Sequence, residues 1–313
     1  MYNVELILTL LSLDKINRNI VNKLLKEKLP LTLEGESIYK FICENSTKIK
    51  SIPTLDMKDI LQGKRNAKLI LSYCEMSNIS IMTILDKDFP NKLTAIDDNP
   101  VILFYKGNKD CITNNKSVAI VGSRYATSSG VKISQDLGKY FALCDFIVVS
   151  GLAKGCDENA HLGCISAHGK TLAVLPCGIS NMYPLSNTNL ADKIISTGGC
   201  LLSEYPPHNK PSKYQFIERN RLQSALSLGV VVVECGEKSG TMHTANFAIK
   251  QNKIIACCNY DSTLNLENIS GNIKIKKNNK SIILKDSSSL DLLVSNLNKS
   301  ILNNPLENHQ LCF

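Results

Sequence analysis

Glycines, hydroxyls and isolated cations gather in five short segments of this 313-residue chain, and the chemistry they share is anion binding. The first is Gly122-Ser123-Arg124-Tyr125-Ala126-Thr127-Ser128-Ser129-Gly130. A glycine, hydroxyls and an arginine ahead of a helix can cradle an anion between backbone N–H groups and a planar guanidinium. The second runs Ser150-Gly151-Leu152-Ala153-Lys154-Gly155-Cys156-Asp157-Glu158-Asn159-Ala160-His161 and sets Lys154 between glycines before another helix. Asp157 and His161 are four apart and share a helix face. They can be a general acid/base pair or two groups that orient one another, and without a nucleophile beside them the second role is the commoner. The third, Pro176-Cys177-Gly178-Ile179-Ser180-Asn181-Met182-Tyr183-Pro184, offers Tyr183 as a surface on which a base can stack. The fourth joins Ser203-Glu204-Tyr205-Pro206-Pro207 to Phe216-Ile217-Glu218-Arg219-Asn220-Arg221. Two apart on a helix, Arg219 and Arg221 point to different sides, so one is expected to reach a site and the other to pair with a carboxylate such as Glu204. The fifth, Gly236-Glu237-Lys238-Ser239-Gly240-Thr241, again leads into a helix.

What these segments lack is equally informative. None has the G-x-G-x-x-G spacing of a dinucleotide site, and the fifth fails the G-x-x-x-x-G-K-[ST] spacing of a phosphate loop. A nicotinamide, flavin or ATPase reading therefore has no support, and no cofactor is expected. Twelve cysteines are scattered from Cys43 to Cys312 with no C-x-x-C pair, several inside apolar runs, which reads as reduced structural thiols and no metal site. The net charge of +8, from 36 basic and 28 acidic residues, is spread along the chain and suits an anionic partner. Among five arginines, Arg124, Arg219 and Arg221 fall in the segments above. Where lysine is the default cation, arginine marks a need for a planar bidentate donor.

The elements that must position these residues are legible from periodicity. Residues 1–84 carry apolar side chains at helical spacing and read as a small helical domain. From Ser117, short apolar runs at 117–121, 146–149, 171–175, 200–203, 229–234 and 253–257 read as strands. Between them, 129–143, 156–168, 186–197, 215–227 and 241–251 read as helices. Val118-Ala119-Ile120-Val121 and Val230-Val231-Val232-Val233 are continuously apolar, as parallel strands covered on both faces must be. The expected class is α/β: a Rossmann-like, doubly wound and mainly parallel sheet over 85–290, with the helical domain before it and a short polar tail at 291–313. Ligands of such a sheet bind beyond the carboxyl ends of its strands, where all five segments fall.

Taken in order, Val121-Gly122-Ser123-Arg124, Ser150-Gly151-Leu152-Ala153-Lys154-Gly155-x-Asp157-x-x-Ala160-His161, Gly178-x4-Tyr183-Pro184, Ser203-Glu204, Arg219-Asn220-Arg221 and Ser239-Gly240-Thr241-x-x-Thr244-Ala245 resemble the DNA-processing protein A family, DprA, also called Smf. The resemblance runs from about Asp86 to Gly271. It implies a Rossmann-like core that binds and protects single-stranded DNA, helps load a RecA-type recombinase during natural transformation, and forms a homodimer. The DNA-contacting arginine of the family maps onto Arg124, and its other pocket residues map onto Ser123, Lys154, Asp157, Tyr183, Asn220 and Ser239. With the flanking Gly151, Arg219, Gly240 and Thr244, these make the expected DNA site. Two departures stand out. The basic residue that follows Tyr-Pro in many members is Leu185 here, and the stretch Gly271–Lys280 is basic where the family is apolar and closes on Gly-Ala.

A competing resemblance is to nucleoside-monophosphate phosphoribohydrolases, whose P-G-G-x-G-T-x-x-E loop supplies a reacting glutamate. The corresponding stretch here is Lys238-Ser239-Gly240-Thr241-Met242-His243-Thr244, with threonine at that position. The expectation is thus a non-enzymatic binding protein in which phosphate contact dominates, since only 6% of residues are aromatic and none is tryptophan. No run approaches the ~20 apolar residues of a membrane span. The opening Met1-Tyr2-Asn3-Val4-Glu5-Leu6 lacks the basic start of a secretory signal, so a soluble, cytoplasmic protein is expected.

Overall fold

The computed structural model describes residues 2–260 and 266–302, which divide into two compact units. The first comprises Met1–Phe89 and Asp97–Tyr105. It holds α1 (Tyr2–Leu11), α2 (Arg18–Leu24), α3 (Gly35–Ser46) and α4 (Met57–Met76), then β1 (Ser80–Thr83) antiparallel to β2 (Ile102–Gly107). Leu6, Ile7, Leu8 and Leu10 of α1 are buried, and α4 opens on a reciprocal capping box between Asp56 and Asp59. Arg18 of α2 donates from Nε to Asp98 at 2.9 Å, pinning the helices to the segment that leads into β2. Residues 80–83, expected to continue the helical region, are instead a strand. Asn78 adopts φ 52° and ends α4, releasing Ile79–Ile84 to pair as a hairpin edge.

The second unit carries two one-turn helices, α5 (Asn91–Thr94) and α6 (Asp110–Thr113), and then the regular alternation. Its elements are β3 (Ser117–Val121), α7 (Ser128–Leu143), β4 (Ile147–Ser150), α8 (Cys156–Ser166), β5 (Thr171–Leu175), α9 (Thr188–Ser196), β6 (Cys200–Ser203), α10 (Lys213–Ala225), β7 (Gly229–Val232), α11 (Gly240–Lys250), β8 (Ile254–Cys258), α12 (Leu266–Lys276), β9 (Ile282–Leu284) and α13 (Ser287–Leu302). Among the described residues the strands of this unit run β6-β5-β4-β3-β7-β8-β9, every neighbouring pair parallel. The doubly wound expectation is met.

The order explains why β3 is buried along its whole length. The chain leaves β3 toward β4 on one side, and later leaves β7 toward β8 on the other. At their carboxyl ends the two connections diverge and open a crevice between adjacent strands, the switch point of a doubly wound sheet. One face of the sheet is covered by a cluster in which Val118, Ile120, Val231 and Val233 meet Leu137 and Phe141 of α7, Cys156, Ala160 and Cys164 of α8, and Leu293 and Leu297 of α13.

That last contact revises the expected polar tail. Residues 287–302 are helical, with Leu293 and Leu297 buried at a four-residue spacing that the surrounding serines and asparagines obscured in the sequence. Residues 303–313 of the same expectation lie outside the described residues. The basic stretch after Gly271 is the second half of α12 and the turn into β9. The eleven cysteines within the described residues are free. Burial pushes thiols such as Cys156 up to about 12, so they behave as small core side chains.

Candidate functional site

A cavity of about 340 Å³ occupies the crevice at the carboxyl ends of β3 and β7, walled by α10 and by the start of α11. Three loops build it. The β3–α7 loop is fixed at both ends by one residue, Glu234, which follows Val233 at the end of the β7 run and is fully buried. Ser123 donates its N–H to the Glu234 carbonyl at 2.7 Å, and the Thr127 hydroxyl donates to the Glu234 carboxylate at 2.7 Å. The Thr127 N–H points to the same carboxylate, and Thr127 then accepts from Gly130 N–H at 3.1 Å to cap α7. Arg124 lies between these two anchors, exposed, with its guanidinium 4.7 Å from the centre of the Phe216 ring.

The β4–α8 loop buttresses the first. Gly155, at φ 76°, brings its backbone so close to Ser123 and Arg124 that a Cβ would overlap the Ser123 carbonyl. Cys156 N–H donates to that carbonyl at 3.1 Å. Asp157 turns inward, accepts from Gly151 N–H at 3.1 Å, and faces the buried Arg219. Burial raises the Asp157 carboxyl above the usual range, opposed by Arg219 and by the N–H groups of Gly151, Ala153 and Gly122. Burial likewise lowers Arg219 to about 10, against the pull of Asp157.

His161 does not join them. It is fully buried, and its Nδ1 lies 2.6 Å from the Thr171 hydroxyl. That hydroxyl donates to the Val148 carbonyl at 2.7 Å, so it accepts from His161. Burial drops the imidazole to about 3, which makes it a neutral core group. Of the two readings of the Asp157–His161 pair, the structure favours neither proton transfer nor mutual orientation: each has its own partner.

The division of labour between the two arginines follows the helical spacing. Arg221 turns away from the cavity and grips Glu204 with Nη2 at 2.7 and 2.8 Å, both side chains buried. Arg219 lines the cavity and donates to the Val174 carbonyl. The third loop enters α11. Ser239 is its N-cap but makes no side-chain bond to the first turn, and Thr241 donates its hydroxyl to the Gly122 carbonyl at 2.9 Å, tying β3 to α11. The α11 N-terminus, whose Gly240 and Thr241 line the cavity, therefore adds the positive end of a helix dipole.

Of the residues expected from the sequence, Ser123, Arg124, Asp157, Arg219, Asn220, Ser239, Gly240 and Thr244 line the cavity. Gly151, Lys154 and Tyr183 do not. Gly151 lies behind the Arg219 guanidinium, Lys154 is exposed in the β4–α8 loop, and Tyr183 meets the edge of Phe216 with ring centres 5.3 Å apart. Leu185, at the position where relatives were expected to be basic, is 81% exposed. Sequence reasoning gave no role to Glu234, Phe216 or Gln223. An acidic residue closing a continuously apolar strand was the available signal for the first, and an aromatic one turn ahead of Arg219-Asn220-Arg221 for the second. No described helix is long and apolar enough to cross a membrane.

Comparison with known proteins agrees with this fold. The DNA processing protein DprA of Bacillus subtilis (strain 168) is 38% identical over 186 residues, which are 59% of this chain and 62% of that protein. DprA of Streptococcus pneumoniae (strain ATCC BAA-255 / R6) is 38% identical over 179 residues, 57% of this chain. The chain thus spans 62% of the length of either relative. The X-ray structure of S. pneumoniae DprA superposes with a TM-score of 0.66 at 29% identity, covering 88% of this chain and 97% of that one. A Helicobacter pylori DNA processing protein A, whose structure was described for its mode of binding single-stranded DNA, gives a TM-score of 0.62 at 26% identity over 71% of this chain and 96% of its own. Residues 80–293, from β1 into α13, match the family described as DNA recombination-mediator protein A, and the chain belongs to that family.

Proposed function

We propose that this protein binds single-stranded DNA at the switch-point cavity, protects it, and helps pass it to a RecA-type recombinase during uptake and recombination of DNA. It does so in the cytoplasm as a homodimer and without catalysis of its own. The observation that carries the reading is the convergence on one cavity of Arg124, Arg219 and the uncapped N-terminus of α11, beside the Phe216 and Tyr183 rings. Cations and N–H groups hold phosphates of any sequence, and aromatic faces favour unstacked bases over duplex. The H. pylori relative supports the ligand class, and the family description supports the mediator step.

The hydrolase alternative finds less support. Thr244, at the position of that enzyme's glutamate, has no carboxylate to offer, and Asp157 is engaged with Gly151 and Arg219. The deciding experiment titrates labelled single- and double-stranded oligonucleotides with the purified protein across a salt series, with a nucleoside-monophosphate hydrolysis assay alongside. Tighter single-strand binding is expected, log K falling linearly with log salt at a slope of about −0.7 per phosphate contacted. Turnover of a nucleotide by a protein indifferent to DNA would overturn it.

A further inference from the structure

The unpaired donors inside the cavity, Arg219 Nε and Gln223 Nε2, suit a phosphate and belong to the site already described. The cations still without a role lie beside it. Residues 271–285 hold five lysines and no acidic residue, unlike the mixed charges of an ordinary solvated face. The structure brings that stretch to the same edge of the sheet as the cavity. Asn272 of α12 donates to the Val233 and Cys258 carbonyls, Lys274 to Glu237 and Lys276 to Asn259. Those partners stand at the carboxyl ends of β7 and β8 or in the loops that leave them. Lys285 follows the last residue of β9 and sits beside Asn259, whose N–H donates to the Leu284 carbonyl.

Two cations of this edge are placed against their local electrostatics. Lys238 and Lys285 each stand two residues ahead of a helix, before Gly240 of α11 and Ser287 of α13. The positive end of a helix dipole disfavours a cation there. A helix C-terminus favours lysine, which accounts for Lys274 and Lys276 in the last turn of α12 but for neither of these two. Lys238, Lys277 and Lys285 are exposed, and none is in an ion pair among the described residues. Lys274 holds the Glu237 carboxyl below its usual range, with Lys238 and Lys277 adding to the effect, so loop and helix present their charge together. The acid next to Lys285, Asp286, is engaged with Ser288 and Ser289 at the start of α13.

We infer that Lys238, Lys277 and Lys285 form a second phosphate-binding track, which carries the single strand out of the cavity and across the ends of β8 and β9. The assignment rests on the single-strand reading above and adds a surface that lines none of the cavity. From β7 to β9 is about 10 Å at the usual spacing of strands, so phosphates held there are beyond those at Arg124 and Arg219. Lysine is a point charge on a flexible stem, and the track therefore holds phosphates without reading sequence.

The test uses the full chain and labelled oligo(dT) of two lengths, about 5 nucleotides to fill the cavity and its mouth and about 20 to run past them. A Lys277→Gln/Lys285→Gln double variant is expected to bind the longer strand about tenfold more weakly, with a salt slope lower by roughly 1.4 for two lost phosphate contacts. It should bind the shorter strand as the parent does. Its melting temperature should equal or exceed the parent's, because Lys285 no longer opposes the α13 dipole. Lys139→Gln/Lys170→Gln removes the same charge at the opposite edge, where Lys139 lies near the end of α7 and Lys170 precedes β5. That control should bind both strands within twofold of the parent. An equal loss in the control, an equal loss on the shorter strand, or unchanged binding of the longer one would each overturn the track. Failure of the parent to bind either strand would instead overturn the single-strand reading, and the track with it.

Discussion

The Arg219 guanidinium occupies the space that any side chain at position 151 would need. A Cβ on Gly151 would overlap Nη1 of Arg219, with Cζ and Nη2 immediately behind. The glycine N–H meanwhile donates to Asp157 at 3.1 Å. Gly151, Asp157 and Arg219 are therefore one packed unit in which the absence of a side chain is what admits the cation.

Gly151→Ala should displace that guanidinium. Overpacking of this kind costs about 1–3 kcal/mol, and the melting temperature should fall accordingly. Single-strand affinity should drop with it, because Arg219 leaves the cavity. Unchanged affinity in a correctly folded Gly151→Ala protein would show that Arg219 is not needed where it stands.

Arg124 offers a cleaner separation of binding from folding. It is exposed, with its guanidinium against the Phe216 ring. Arg124→Ala should weaken single-strand binding by about tenfold, equal to about 1.4 kcal/mol, and reduce the salt slope by roughly 0.7. The melting temperature should barely move. Arg124→Lys should restore more of the slope than of the affinity, since the charge returns without the fork. Titrations at three salt concentrations check both.

The opposite pattern is expected at Arg221, two residues past Arg219 on α10. The Arg221–Glu204 pair is buried on both sides, and Arg221→Met removes the guanidinium from a buried carboxylate. Such losses cost about 3–5 kcal/mol. Denaturant unfolding should register that, whereas the fraction still folded should bind DNA with parental affinity.

His161 supplies a pH dependence with a definite sign. Its folded value, about 3, lies below the 6.5 of a free imidazole. The unfolded chain thus takes up the proton first as pH falls. The stability this group contributes is complete above about pH 6.5 and is lost progressively toward pH 3, at no more than about 1.4 kcal/mol per pH unit. His161→Gln keeps a donor for Thr171 and removes the titration. Its melting temperature should fall less than the parent's between pH 7 and pH 5. Parallel curves for the two proteins would remove His161 as the cause.

Much of this was written in local spacing. Continuous apolar runs located β3 and β7, and the two-residue offset of Arg219 and Arg221 foretold that one would face the cavity and the other a carboxylate. Other features depend on distant parts of the chain. Glu234 reads as an ordinary acidic residue at a strand end, and only the pairing of β3 with β7 brings it under Thr127. Gln223 sits in Leu222-Gln223-Ser224-Ala225-Leu226, where one polar residue on a helix carries no periodic signal. β1 was hidden because four residues of strand cannot be told from the end of a helical region until β2, some twenty residues on, supplies the partner. The buried stripe of α13 was diluted by its own serines.

Asn272 of α12 donates to the Val233 and Cys258 carbonyls at 2.8 and 3.3 Å, and accepts from Cys235 N–H at 2.9 Å. It stitches the ends of β7 and β8 together beneath the loop that leads into α11, and Lys274 adds a bond to Glu237 of that loop. The cavity is thus closed from outside the first five strands of its unit, by a helix that lines none of it. A shortened polypeptide ending near residue 260 would retain all the cavity side chains proposed to contact DNA and still lose their arrangement. The smallest autonomous binding fragment must run through α12 to the Leu297 anchor in α13.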